Sequence, residues 1–178
     1  HAIVYNKPAI LTAVSKRCFV EITPRKDKKI KVTSKNYNTS MIRIIEEVNK
    51  KFEKAQKDWD QYDAANDIPL LKSITKGPLD YPLIIIGQFI NSYGLKALPG
   101  FDLTIDSEIP IGAGMGSSGA LSVSIIGAMS LFAGKKFDKR KLMKWHIFVR
   151  RKNMENHPEE IIPPVVLEDW SGLKKMKD

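Results

Sequence analysis

Pro110-Ile111-Gly112-Ala113-Gly114-Met115-Gly116-Ser117-Ser118-Gly119-Ala120 is the stretch that decides the fold of this chain. It follows a segment in which Phe101, Leu103 and Ile105 alternate with Asp102, Thr104 and Asp106, and it opens an apolar run ending at Gly134. The order predicts a strand, a glycine-rich loop and a buried helix. Glycine lets the backbone approach a ligand closely and adopt positive φ. Successive N–H groups can then converge on an anionic oxygen, and a helix beginning near Ser117 adds its positive end to the same spot. The hydroxyls of Ser117 and Ser118 complete a phosphate-binding chemistry. The plain alternative is a tight strand-to-helix turn with Ser117 as N-cap. No lysine follows the glycines, so this is not a Walker loop. The spacing also differs from the dinucleotide fingerprint, which needs a glycine where the serines stand.

Upstream, residues 2–5 and 9–14 read as short strands around the turn Asn6-Lys7-Pro8. Residues 18–23 and 29–33 alternate apolar and polar side chains and are joined by Pro24-Arg25-Lys26-Asp27, which predicts a hairpin with one wet face. From Met41 the period changes. Met41, Ile44, Ile45, Val48, Phe52, Ala55, Trp59 and Tyr62 recur at three- and four-residue steps, predicting a long amphipathic helix that fades near Asp63. A second helix spans about 81–93 and stops at Gly94, a natural C′ residue. Its run Leu83-Ile84-Ile85-Ile86 is apolar all round and should be buried. Lys50, Lys51, Lys54 and Lys57 read as a solvated helix face. Asp58, Asp60, Asp63 and Asp67 lack the glycine and bidentate glutamate of a calcium loop.

The 178 residues, 43% hydrophobic and 28% charged with a mean hydropathy of −0.24, describe one ordinary globular core. The longest apolar stretch, residues 120–132, falls short of the roughly 20 residues that span a bilayer. Neither this nor any signal-peptide pattern points to a membrane. The chain opens at His1 rather than Met, so a missing leader decides nothing. Cys18 is the lone cysteine, which fits a reducing cytoplasmic setting. The net charge of +9 invites a nucleic-acid partner, but residues 135–178 carry +5 of it and the rest of the chain only +4. That distribution disfavours nucleic acid and suits an anionic small molecule as well.

The loop residues Pro110, Gly112, Gly114, Met115, Gly116, Ser117, Ser118 and Ala120 resemble the phosphate loop of the GHMP kinases, Pro-x-Gly-x-Gly-Leu-Gly-Ser-Ser-Ala-Ala, with Met115 for Leu and Gly119 for Ala. The opening His1-Ala2-Ile3-Val4-Tyr5-Asn6-Lys7-Pro8-Ala9-Ile10 is similar to the start of the mevalonate kinases, a branch of that family. The Lys and Glu that precede this His in the family are not in the chain. The resemblance covers residues 1–141. It implies an α+β domain of the ribosomal protein S5 domain 2-like type, the truncated N-terminal ATP-binding domain of a kinase. By position, Pro110, Gly112, Ala113, Gly114, Met115, Gly116, Ser117 and Ser118 would wrap the phosphates of ATP. Ser118 would also bind Mg²⁺, and His1 would lie near a mevalonate-like substrate. The reaction implied is transfer of the γ-phosphoryl group to a small alcohol by a cytoplasmic enzyme in isoprenoid biosynthesis. A homodimeric parent is allowed. Phosphomevalonate or a sugar as acceptor, a non-catalytic nucleotide-binding module and a basic RNA-binding domain remain the alternatives.

The family's catalytic Asp belongs to a segment like His-Gly-x-Pro-Ser-Gly-x-Asp-Asn after the loop helix, and that segment is absent. Residues 145–178 contain Pro158, Pro163 and Pro164 and show no periodicity. Yet the codons of Asn153-Met154-Glu155-Asn156-His157-Pro158-Glu159, read from each third base, permit His-Gly-Lys-Pro-Ser-Gly. Continuing through Glu160, Ile161, Ile162 and Pro163 permits Gly or Arg, then Asp-Asn-Thr. The expectation is a one-nucleotide frameshift between about residues 137 and 142, leaving 142–178 as an out-of-frame tail that is poorly ordered. No catalytic residue is then present, and this fragment should be inactive. His146 and His157 lie in that tail and support no metal site.

Overall fold

A computed structural model describes residues 14–65, 74–95, 97–111 and 113–136. The chain divides into two compact units. One, Lys16–His146, holds every element described below; of the other, only Val14 and Ser15 are described. The expected strands at 2–5 and 9–14, apart from Val14, and the expected disordered tail at 142–178 lie outside the described residues.

Among the described residues four strands form one mixed sheet: β1 (Cys18–Pro24), β2 (Lys29–Ser34), β3 (Thr39–Ile44) and β4 (Phe101–Ser107), in the order β1-β4-β2-β3. Among the described residues three helices accompany it: α1 (Ile45–Ala65), α2 (Asp80–Ser92) and α3 (Ser117–Phe132). Alternation works as the period-two rule requires. Ile30 and Val32 of β2 and Phe101, Leu103 and Ile105 of β4 point to one face and are buried with Val48, Leu83, Ile86, Phe89, Ile125 and Met129 of the helices. Burying side chains of this size contributes about 1.5–3 kcal/mol each. The other face carries Glu21, Lys29, Lys31, Asp102 and Asp106, charges of both signs rather than a basic platform.

The predicted hairpin of β1 with β2 does not form. β4 lies between them, antiparallel to β1 with Val20 opposite Ile105, and parallel to β2 with Val32 opposite Leu103. Two strand spacings of about 4.8 Å separate β1 from β2, a gap that the 25–28 link can bridge. That link is tied across the start of β4: Arg25 N donates to Gly100 O at 2.8 Å and Gly100 N donates to Asp27 O at 3.1 Å. The Arg25 guanidinium joins Asp27 and Asp102 at 2.8 and 2.7 Å. Only glycine fits at 100, because a Cβ there would stand 2.0 Å from Asp27 O and 2.6 Å from Lys29 O.

The long helix begins at Ile45, not at Met41. Residues 41–44 are instead the second half of β3, which pairs antiparallel with β2, Val32 opposite Met41 and Lys29 opposite Ile44. The turn between them places Asn38 at φ 46°, a left-handed conformation that asparagine tolerates. Once the ladder ends, Glu46 and Glu47 favour the helix start.

Helices α2 and α3 end where their glycines predict. Gly94 has φ 61°, its N–H donates to Asn91 O, and Leu95 N donates to Ile90 O at 3.0 Å. Gly134 has φ 60°, with the same pair of bonds from Gly134 to Leu131 and from Lys135 to Ser130. Both are Schellman ends. As expected, residues 83–86 are all buried. α1 and α2 touch closely at Gly87, where a Cβ would meet Phe52 Cβ at 2.6 Å. Lys51 of α1 bridges to Asp80 of α2 at 2.8 Å, while Lys50, Lys54 and Lys57 face solvent as a solvated helix face should. Trp59 is buried, as a core contact; the Tyr62 side chain lies outside the described residues.

Candidate functional site

The glycine-rich loop is the link between β4, in the middle of the sheet, and α3. Its two ends are fixed by burial: Ile109 on the strand side is 5% exposed, and Ser122, Ile125 and Ile126 on the helix side are buried. Glu108 holds the strand end: its N–H donates to Arg17 O at 2.9 Å, and its carboxylate accepts from Arg17 N–H at 3.1 Å. Between these anchors Pro110, Ala113, Gly114, Met115 and Gly116 are exposed. Gly112 and His1 lie outside the described residues.

Gly114 and Gly116 have φ of 70° and 74°. These are left-handed values that cost an L-residue about 1–2 kcal/mol, so glycine is required here for its backbone. It is not required for space within the chain, since a Cβ at either position would meet nothing within 4 Å. The N-cap of α3 is Gly116, with no side-chain capping bond. Ser117, expected as N-cap in the plain-turn alternative, is therefore the first helical residue instead. Ala120 N donates to Gly116 O and Ala113 N reaches Pro110 O at 3.5 Å, a distance too long for a strong bond. Among the described residues, no hydrogen bond takes up the N–H groups of Gly114, Met115, Gly116, Ser117, Ser118 or Gly119. The first amides of a helix are left without intrahelical partners and need one from outside. An open loop with two left-handed glycines running into an uncapped helix end is suited to an anion. Between Ser107 and Gly134 there is no Lys or Arg. From its own residues, this segment meets a bound negative charge with amide dipoles and the hydroxyls of Ser117 and Ser118, not with a side-chain cation.

The first turn of α3 is also held from behind. Ser122 Oγ donates to Ser118 O at 2.8 Å, and Tyr81 Oη at the start of α2 lies 2.6 Å from Ser122 Oγ. Sequence reasoning passed over both residues. Ser122 stands four after Ser118, the spacing for such a helical back-bond, but nothing in the sequence reveals that Tyr81 faces it. Elsewhere, burial pushes the Cys18 thiol up, hydrogen bonds from Ser107 and Ser124 oppose that, and Asp106 adds to it. Among the described residues no three His, Cys, Asp or Glu gather as a metal site, and no helix is long and apolar enough to cross a membrane.

Residues 80–159 match the family model described as the N-terminal domain of the GHMP kinases, a span that includes α2, β4, the loop and α3. The chain is 29% identical over 144 residues to a mevalonate kinase of Pyrococcus furiosus, covering 81% of this chain and 38% of that protein. It is 26% identical over 156 residues to a mevalonate kinase of Candida albicans, covering 75% and 34%. The crystal structure of the Methanococcus jannaschii mevalonate kinase matches with a TM-score of 0.56 at 22% identity, over 75% of this chain and 36% of that one. At that identity the likeness is one of fold. The chain spans less than two-fifths of the length of these relatives.

Proposed function

We propose that the chain is a member of the GHMP kinases, a reading supported by the family match over residues 80–159 and the likeness to mevalonate kinases, and that its glycine-rich loop binds the polyphosphate of ATP for transfer of the γ-phosphoryl group to a small alcohol, mevalonate before phosphomevalonate or a sugar. The observation that carries the reading is the set of amides from Gly114 to Gly119, which have no partner among the described residues, at the uncapped start of α3. Pro110 and Ala113 shape the entry to the loop, and Gly112 is assigned to it by position. Gly114 and Gly116 bring the backbone close to the phosphates. Ser117 and Ser118 add hydroxyls. Phosphoryl transfer is catalysed largely by positioning and by charge neutralisation, and this segment supplies the positioning.

Magnesium, carried with the nucleotide, would supply charge neutralisation for the phosphates. The segment fits that role modestly: Ser118 offers one hydroxyl, and no acidic cluster stands beside it among the described residues. The phosphates themselves would be the principal ligands. His1 is assigned to the alcohol-binding side by its place in the family motif.

The family's catalytic carboxylate is missing from the printed reading frame, and we assign it to the shifted frame of residues 153–163. Residues 1–141 are then the in-frame domain, and the fragment lacks turnover. The family match extends to residue 159, past the proposed shift, so the nucleotide sequence decides. An unbroken frame whose wobble bases do not spell the missing segment removes this part of the reading.

Calorimetric titration of the chain with Mg·ATP tests phosphate binding. With amides and no Lys or Arg within the loop segment, we expect saturable binding with Kd on the order of 1 mM, about −4 kcal/mol. Heats no larger than those from adenosine would refute it. The acceptor is tested by assaying the frame-corrected gene product with mevalonate, phosphomevalonate and galactose.

A further inference from the structure

Behind the loop, a chain of hydroxyls ends on one particular peptide group. Ser122 is 2% exposed, and its hydroxyl donates to Ser118 O at 2.8 Å. A serine hydroxyl has one proton to give. With that proton spent on Ser118, the 2.6 Å contact is closed by Tyr81 donating to Ser122 Oγ. The 3.4 Å approach of Tyr81 Oη to Ser118 O is a weaker branch of the same donor. Order along the chain is therefore Tyr81 to Ser122 to the Ser118 carbonyl.

That carbonyl and the N–H of Gly119 belong to the same peptide unit. Gly119 N–H is one of the amides at the start of α3 with no partner among the described residues. Amide resonance links the two ends of the unit: electron density drawn onto oxygen leaves the nitrogen more positive and its N–H a stronger donor. Chained hydrogen bonds reinforce one another by roughly 10–30% per bond. No Lys or Arg lies between Ser107 and Gly134, so the strength of the amide donors matters more here than in a loop that carries its own cation. The same chain fixes the first turn of α3 against α2, setting the direction in which its amides face.

We propose that Tyr81, acting through Ser122, is a positioning residue for phosphate: it orients and polarises the Ser118–Gly119 peptide so that Gly119 N–H is the strongest anion donor of the helix end. The inference rests on the phosphate-binding reading of the loop. The ordinary alternative is that Tyr81 and Ser122 merely glue α2 to α3, in which case their hydroxyls affect stability without affecting Gly119 selectively.

Tyr81→Phe and Ser122→Ala each remove a hydroxyl and keep the shape, so both variants of the full chain should fold. In the ligand-free chain the Gly119 amide proton resonance moves upfield in both variants while that of Ser117 stays in place. Affinity for Mg·ATP falls roughly three- to tenfold, the loss of one hydrogen bond's influence, and the response to adenosine is unchanged. The double variant is no weaker than Ser122→Ala alone, because one chain carries both hydroxyls. A loss of thermal stability with the Gly119 resonance and ATP affinity unchanged overturns the inference and leaves the phosphate site standing. If the unsubstituted chain shows no ATP binding, the phosphate reading fails and the inference fails with it.

Discussion

Replacing Gly116 separates backbone strain from ligand access at the start of α3. The residue sits at φ 74° and ψ 24°, and a Cβ there would meet no atom within 4 Å. Gly116→Ala therefore incurs the left-handed penalty of about 1–2 kcal/mol. It recovers about 0.4–1 kcal/mol through the less flexible unfolded chain. The net loss is about 1 kcal/mol, or roughly 3–6 °C in Tm for a folded body of this size. Gly116→Asn is larger yet should be milder, because asparagine is several-fold enriched at positive φ, worth about 0.6–1 kcal/mol. Asparagine above alanine in stability is the signature of a purely conformational cost. Binding should rank differently, since any side chain here stands between phosphate and the loop amides. Both variants should lose Mg·ATP binding by about tenfold or more, however well they fold. Urea denaturation followed by tryptophan fluorescence gives the first ranking and calorimetry the second. Asparagine less stable than alanine would refute the strain argument; undiminished ATP affinity in either variant would refute the access argument.

Gly100→Ala is a collision rather than a strain, since its Cβ would fall 2.0 Å from Asp27 O and 2.8 Å from Lys29 N. It should destabilise by about 3 kcal/mol or more in urea melts, with little gained by changing nearby side chains. Gly87→Ala forces α1 from α2 at Phe52 Cβ, 2.6 Å away, and at Val48 O, 3.0 Å away, and should not be rescued by Phe52→Leu, which keeps the Cβ that obstructs. For Asp80, burial pushes the carboxyl up, but hydrogen bonds from Lys51 and from the amides of Gly77 and Lys76 outweigh it and hold the pKa below the ordinary 3.8. Its stabilisation is thus complete above the unfolded value and lost as pH falls through the lower folded value. Melts taken from pH 5 down to pH 2 should steepen there, and Asp80→Asn should flatten the slope. Burial also raises the Cys18 pKa, so its alkylation at pH 8 should be slow in the native chain and accelerate in urea.

Local signals made part of the fold legible. Gly94 and Gly134 mark real helix ends because a left-handed C′ residue is a local requirement, and residues 101–107 alternate because one face of β4 is buried. Two readings failed where tertiary pairing overrode local pattern. Met41 and Ile44 fit the helical spacing of α1, yet the ladder with β2 holds them extended, and the turn at Asn36-Tyr37-Asn38 was the signal passed over. Pro24-Arg25-Lys26-Asp27 resembles a hairpin turn, but the insertion of β4 from seventy-odd residues later is a non-local event that no window of sequence displays. The glycine loop was readable as a phosphate-binding candidate because positive φ and an uncapped helix start both leave traces in residue type. The support from Tyr81 was not, since it depends on how α2 crosses α3.

The most direct measurement is a Mg·ATP titration followed amide by amide with ¹⁵N NMR. The account predicts saturable shifts centred on Gly114, Gly116, Ser117, Ser118 and Gly119, largely absent with adenosine. Shifts confined to the lysine-bearing face of α1, or no saturation at the loop, would contradict it.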